Sequence, residues 1–304
     1  MKVGDAFSLT KQAAIAWMDD NAPTLGAALA YYTIFSLAPL LIISIGLAGM
    51  VLGQEAAQGQ IFDQLRSLVG DEGGRAMQEM VRNAGSEKDT SVFATVLGGV
   101  TLLFGASTVF GQLQTSLNAV WGVQPKPGRG VRGIIEDRVL SFGLILAVGF
   151  LLLVSLVLTA VVAGVGKWMG GVLPGGEAMT QVLNFALSLA VITALFAMIF
   201  KMLPDAKIAW HDVWIGAFIT ALLFVIGKSV LGIYLGKSSV GSSFGAAGSL
   251  IVLVVWVYYS AQILFFGAEW TQVYANRFGS HVEPTKNAVA IDKEKAQSLP
   301  TPPA

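Results

Sequence analysis

The chain of 304 residues contains no cysteine and only two histidines. This excludes disulfides and thiol chemistry and leaves no Cys/His set for a zinc site. Charge is scarce as well: 12% of residues are Asp, Glu, Lys or Arg, against about 25% in an ordinary soluble domain. The 19 basic and 19 acidic residues cancel, so no global field favours nucleic acid. No Walker loop or HExxH occurs, and His211 and His281 stand without metal-ligand companions. Ser107 sits among small residues after Gly105, yet lacks the second glycine and strand–helix setting of a nucleophile elbow. The chain is therefore expected to be no enzyme and to carry no metal and no cofactor.

What is present is apolar sequence, 54% of the chain, with a mean hydropathy of +0.68. So little polar surface cannot cover a water-soluble globule, which points to lipid as solvent. A helix needs roughly 20 apolar residues to cross the hydrocarbon. Six runs qualify: Gly26–Leu52, Val92–Trp121, Val139–Gly166, Ala178–Phe200, Val213–Leu235 and Val240–Ala268. Only the fifth holds a charged residue, Lys228. The predicted fold class is all-α, a polytopic membrane protein of six transmembrane helices. The first run is too long for a signal peptide's hydrophobic region and is expected to be a retained span.

Lys and Arg in the connections set the orientation. One side collects Lys2, Lys11, Lys126, Arg129, Arg132, Arg138, Lys201, Lys207, Arg277, Lys286, Lys293 and Lys295; the other has Arg66, Arg75, Arg82, Lys88, Lys167 and Lys237. Twelve against six predicts N-in/C-in in a multi-pass protein of the cell inner membrane. Residues 1–25 are expected to form a cytoplasmic interfacial helix, amphipathic over 4–18 with Phe7, Ala14, Ile15 and Met18 on one side. Asp19, Asp20, Asn21 and Pro23 supply a break and a helix start. Residues 26–275 form the membrane domain. Its outer loop 53–91 reads as a short helical hairpin, broken at 70–74 and resting on the outer ends of the spans. Residues 276–304 are expected to be a disordered cytoplasmic tail.

Polar groups inside hydrocarbon are costly, so they mark candidate function. Lys228 lies nearer the outer face, where a lysine at mid-bilayer costs about 2.5–3.5 kcal/mol on insertion scales. Either it snorkels to headgroup phosphates, or it faces a wet cavity and attracts an anion. A second set lies toward the cytoplasmic half: Thr108, Gln112 and Thr115 on one face of the second span, Gln114 and Asn118 on an adjacent one, and Tyr31, Tyr32 and Ser36 on the first. Tyr258, Gln262 and Glu269, at offsets of four and seven, share one stripe of the sixth helix. The alternatives are interhelical hydrogen bonding, worth about 0.6 kcal/mol per contact, and a hydrated vestibule. Pro39 interrupts the first span as a hinge or a static kink. The basic run Arg129–Arg138 lacks an aromatic platform for RNA and reads as a positive-inside anchor.

The segment Ala28-Leu29-Ala30-Tyr31-Tyr32-Thr33-Ile34-Phe35-Ser36-Leu37-Ala38-Pro39-Leu40 resembles the signature of the YihY/BrkB-like membrane proteins. The resemblance continues through Gln112, Gln114, Leu117-Asn118 and Trp121, then Asp137-Arg138 and Ser141. It resumes at Leu203-Pro204-Asp205, Trp210, Asp212 and Trp214, at Gly227-Lys228, and at Trp256, Tyr258-Tyr259, Gln262 and Gly267 to Glu269. It covers about residues 10 to 275. It implies a six-span inner-membrane protein, described as a candidate transporter or envelope virulence factor, with no agreed substrate. The family's former label, ribonuclease BN, is regarded as a misassignment. The family's polar positions fall on Tyr31, Tyr32, Gln112, Asn118, Asp137, Arg138, Asp205, Lys228, Tyr258, Gln262 and Glu269.

The leading expectation is a transporter or flippase for an anionic or amphipathic envelope-related compound. Lys228, Tyr31, Tyr32, Gln112, Asn118, Tyr258, Gln262 and Glu269 would line the path, Asp137, Arg138 and Asp205 would form a cytoplasmic cluster, and Pro39 would be the hinge. The alternative is a non-transporting scaffold for envelope assembly. The expected partners are the lipid bilayer and an anionic lipid or small molecule, with no nucleic acid; a homo-oligomer is left open. A ribonuclease would need a metal-bound carboxylate or histidine cluster, or an acid–base pair, which the short connections do not offer.

Overall fold

The computed structural model describes residues 3–85, 105, 108–128, 133, 143, 151, 176–237 and 248–291. The chain is mostly helical. In order come α1 (Val3–Asp19), α2 (Ala22–Leu52), α3 (Gln54–Gly85), a helical stretch α4 (108–120), β1 (Val123–Pro125), α5 (Gly176–Met202), β2 (Ala206–Lys207), α6 (Trp210–Lys237), α7 (Gly248–Phe278), β3 (Glu283–Pro284) and β4 (Ala288–Ala290). Four described helices are long and apolar enough to cross a membrane: Ala22–Met50, Met179–Met202, Trp210–Tyr234 and Leu250–Phe278. They correspond to the first, fourth, fifth and sixth expected spans. Of the second span only 105 and 108–121 are described, and the third lies outside the described residues apart from 143 and 151.

The sixth helix differs from expectation. Its described part starts at Gly248 and runs to Phe278, ten residues beyond the predicted end at Ala268. Glu269 suggested a boundary, but the helix continues past it and buries it completely. A carboxylate thus lies inside a candidate span where none was expected.

Helices α6 and α7 are antiparallel and joined by reciprocal small-residue contacts. A Cβ on Gly216 would collide with the Thr271 side chain, and one on Gly267 with that of Thr220. Each threonine hydroxyl donates to the carbonyl one turn back, Thr220 to Gly216 at 2.7 Å and Thr271 to Gly267 at 2.6 Å. The polar atoms are thereby satisfied within their own helices, while each threonine side chain, hydroxyl and methyl together, fills the partner's glycine notch. A third notch, at Gly227, receives Tyr259 and Ile263. Ala217, Ala221 and Ala268 are buried in the surrounding core with Phe196, Phe200 and Phe265.

Between α1 and α2 the chain turns at Asn21, whose φ of 52° lies in the left-handed region that asparagine tolerates. Proline in the first turn of α2 then fits a helix start. The inner side of α1, Leu9 and Ala13, packs with Trp270 of α7.

The α3 segment is helical throughout, with no coil at 70–74, yet it doubles back. In a straight helix residues 66 and 74 would lie about 12 Å apart, whereas a Cβ on Gly74 would sit 3.4 Å from the Arg66 Cα. Arg66 also reaches Gln78 at 3.3 Å. The two arms share one apolar cluster, Ile61, Phe62 and Leu65 with Met77, Met80 and Val81. That cluster includes Leu37, Leu41 and Ile45 of α2 and Leu253, Trp256 and Val257 of α7. The hairpin therefore packs alongside these helices rather than resting on their ends.

Beyond α7 the expected disordered tail is ordered as far as Ile291. β4 pairs antiparallel with β1, and β3 with β2. Lys126 N–H donates to Asn287, Ile291 N–H to Gly122 and Thr285 N–H to Asp205, at 2.8–2.9 Å. The segment satisfies its backbone on the connections after α4 and α5, which polarity alone did not reveal. Residues 292–304 lie outside the described residues.

Gly267→Ala is expected to destabilise the detergent-solubilised protein by about 1–3 kcal/mol through overpacking against Thr220. Thr220→Ala in the same chain should recover most of the loss, measured as the thermal midpoint in a double-mutant cycle.

Candidate functional site

The interior polar residues fall into groups set by the helices that carry them. Near the middle of α2, Ser36 is fully buried, and its hydroxyl lies 2.7 Å from that of Thr108 on α4. Thr108 donates to the Gly105 carbonyl at 2.7 Å, so the proton between the two hydroxyls comes from Ser36. One turn further along α2, Pro39 Cγ lies 2.9 Å from where a Cβ on Gly105 would stand. The proline ring is packed against Gly105.

Lower on α4, Asn118 is buried and pairs twice with Asp205. Its amide donates to Asp205 Oδ2 at 2.9 Å, and its carbonyl accepts the Asp205 N–H at 2.7 Å. This fixes the turn between α5 and β2. Two predicted site residues from different groups are thus partners, joined across 87 residues of sequence. Beside them Lys201 donates to the Ile208 carbonyl and lies over the Trp210 ring at 5.6 Å. Asp212, in the first turn of α6, accepts the Ser280 N–H and hydroxyl at 2.9 Å each and faces His211 Nδ1 at 3.5 Å. These are structural ties between the connection before α6 and the end of α7. Asp212 lies outside the candidate site residues, and the signal for its role is an aspartate at a helix start.

On α7, Gln262 projects into the space left by Gly26 on α2: a Cβ there would overlap the Gln262 amide and come within 3.6 Å of Tyr258. The Gln262 oxygen and nitrogen are both buried, and neither has a hydrogen-bond partner among the described residues. Gln114 Nε2 is in the same condition on α4. Two turns along the same stripe lies Glu269, fully buried. Gln112 donates to Ser116 of its own helix at 3.2 Å. Tyr31 is 60% exposed and meets Tyr32 edge-to-face and Phe35 at a tilt, with ring centroids at 5.6 and 4.9 Å. Lys228 is partly buried one residue past the Gly227 notch, with no hydrogen bond or ion pair among the described residues. Gln262, Tyr258 and Glu269 therefore share a face, while no hydrogen bond among the described residues joins Tyr31 or Lys228 to Gln262. Asp137 and Arg138 lie outside the described residues. No group of three or more His, Asp or Glu that could hold a metal occurs among the described residues.

Spanning-length apolar helices and this pattern of polar residues meet in a known family. Residues 14–292 match the family described as Virulence factor BrkB. The chain belongs to the BrkB family. Similar proteins include the UPF0761 membrane protein of Rhodospirillum centenum, 27% identical over 278 residues, covering 89% of this chain and 58% of the relative. That of Pseudomonas paraeruginosa is 26% identical over 272 residues, 87% of this chain and 62% of the relative. That of Vibrio campbellii is 29% identical over 258 residues, 82% and 76%. This BrkB-family chain thus spans about three-fifths of the length of the first two relatives. No solved structure matches it. The protein is a membrane protein of the BrkB/UPF0761 family.

Asn118→Ala is expected to cost about 1–3 kcal/mol, the penalty of stranding a buried partner. The exchange Asn118→Asp with Asp205→Asn should restore part of it. Thermal midpoint and protease resistance of the 203–209 turn measure both, and a residue serving only a passing substrate would change neither.

Proposed function

We infer that the protein is a six-span, N-in/C-in transporter or flippase of the cell inner membrane. It would move an anionic or amphipathic envelope-related compound and catalyse no chemical reaction. The observation that supports this is Gln262, whose buried carboxamide has no partner among the described residues. A buried unmet amide costs about 1–3 kcal/mol, and in a membrane helix it points to a passing polar ligand or water. Lys228, a cation on a candidate span without a described partner, supplies attraction for a negative group. Glu269 lies on the Gln262 stripe, and Tyr258, one turn before Gln262, also faces Gly26.

A second reading, a scaffold for envelope assembly, has its own support. Ser36–Thr108 and Asn118–Asp205 are mutually satisfied contacts, and such contacts hold a bundle together without conducting anything.

Flux separates the two. Purified protein in liposomes, offered anionic lipids and small organic anions, is expected to move at least one class above empty vesicles. Gln262→Leu should abolish that flux while holding or raising the thermal midpoint, since an unmet amide is replaced by an apolar side chain. Unchanged flux in Gln262→Leu and Lys228→Ala, or none in the parent, removes the transporter reading. The topology has a separate check: with no native cysteine, Lys286→Cys is expected to label only from the cytoplasmic side and Glu55→Cys only from the other.

A further inference from the structure

Helix α1 has two apolar faces, and only one is used inside the protein. At 100° per residue, Ala6, Leu9, Ala13, Ala16 and Trp17 fall on one side; Leu9 and Ala13 are fully buried. The opposite side carries Phe7, Lys11, Ala14, Ile15 and Met18 within an arc of about 100°. This outer side is open: Phe7 is 75% exposed, Ile15 51% and Met18 62%. Polar Ser8, Gln12 and Asp19 flank one edge and Thr10 the other. Three unburied large side chains in one narrow arc exceed the scattered apolar exposure of an ordinary aqueous surface.

We propose that this outer arc is seated in the bilayer, at the headgroup–acyl boundary of the leaflet where α2 begins. Continuity fixes the level: the candidate span opens at Ala22, three residues after α1 ends at Asp19. Lys11 decides between lipid and protein as the occupant. It stands within the arc, where a protein–protein core would exclude a lysine. A bilayer accepts it, with the stem along the apolar surface and the ammonium at the phosphates. The inner face holds α1 in this pose through Trp270, and the Arg277 guanidinium of α7 donates to Ser8 at 2.6 Å on one edge.

The absence of cysteine gives a clean test on the full chain in nanodiscs of phosphatidylethanolamine and phosphatidylglycerol. Phe7→Cys, Ile15→Cys, Met18→Cys and Gln12→Cys each carry one nitroxide label, and all four positions are exposed. At 7, 15 and 18 the collision rate with oxygen should exceed that with a water-soluble nickel chelate, and the order should reverse at 12. Nickel access prevailing at all four positions places the arc in water and overturns the proposal. Labels at 7, 15 and 18 that are immobile and shielded from both reagents place it under protein, a second copy included, and overturn it equally.

Discussion

Backbone amides and carbonyls in hydrocarbon must be satisfied within the protein, and the remaining architecture answers to that constraint. Winding apolar segments into helices meets it but leaves lipid-like surfaces with little hydrophobic reason to associate. Close approach through small residues supplies the attraction instead. Helix α7 does this on several faces. Gly267 and Thr271 interlock with α6, Gln262 and Tyr258 meet α2 at Gly26, and Trp270 receives α1. Leu253 and Val257 lie in the cluster that holds the α3 hairpin. Each face uses different chemistry, which is why one helix can organise four neighbours without ambiguity of register.

The sequence marks the four described spanning helices because apolar length is a local property. It also marks the α1–α2 elbow through Asn21 and Pro23, and the doubling back of α3 through its paired apolar stripes. Its failures share one cause. The predicted end of the last helix falls at Ala268 because the carboxylate of Glu269 reads as a boundary, whereas its burial is decided by neighbouring helices. The segment after α7 reads as polar and therefore loose, yet its strands borrow partners from loops 78 and 167 residues away, as the pairings Ala206–Pro284 and Val123–Ala290 record. Asn118 and Asp205 were both legible as candidates, but nothing local says that they bind each other.

That pairing changes how the polar residues are weighed. Polar side chains in a membrane bundle divide into those that satisfy one another and those that do not. Ser36 with Thr108, Asn118 with Asp205, and Asp212 with Ser280 belong to the first kind. Their cost of burial is already met, so their presence requires no ligand. Gln262 belongs to the second kind among the described residues, and its burial has no such internal explanation.

The same division locates where movement is cheapest. α6 and α7 are interlocked by reciprocal Gly–Thr contacts, and sliding one past the other would drive Thr271 and Thr220 out of their notches. α2 and α4 are coupled at Ser36–Thr108 and at the seat of Pro39 against Gly105. Between these two pairs runs the α2–α7 contact, where a glycine faces a carboxamide that has no described bond to lose. A transporter built this way would part along that seam first, because opening it breaks packing alone and frees Gln262 to meet water or cargo.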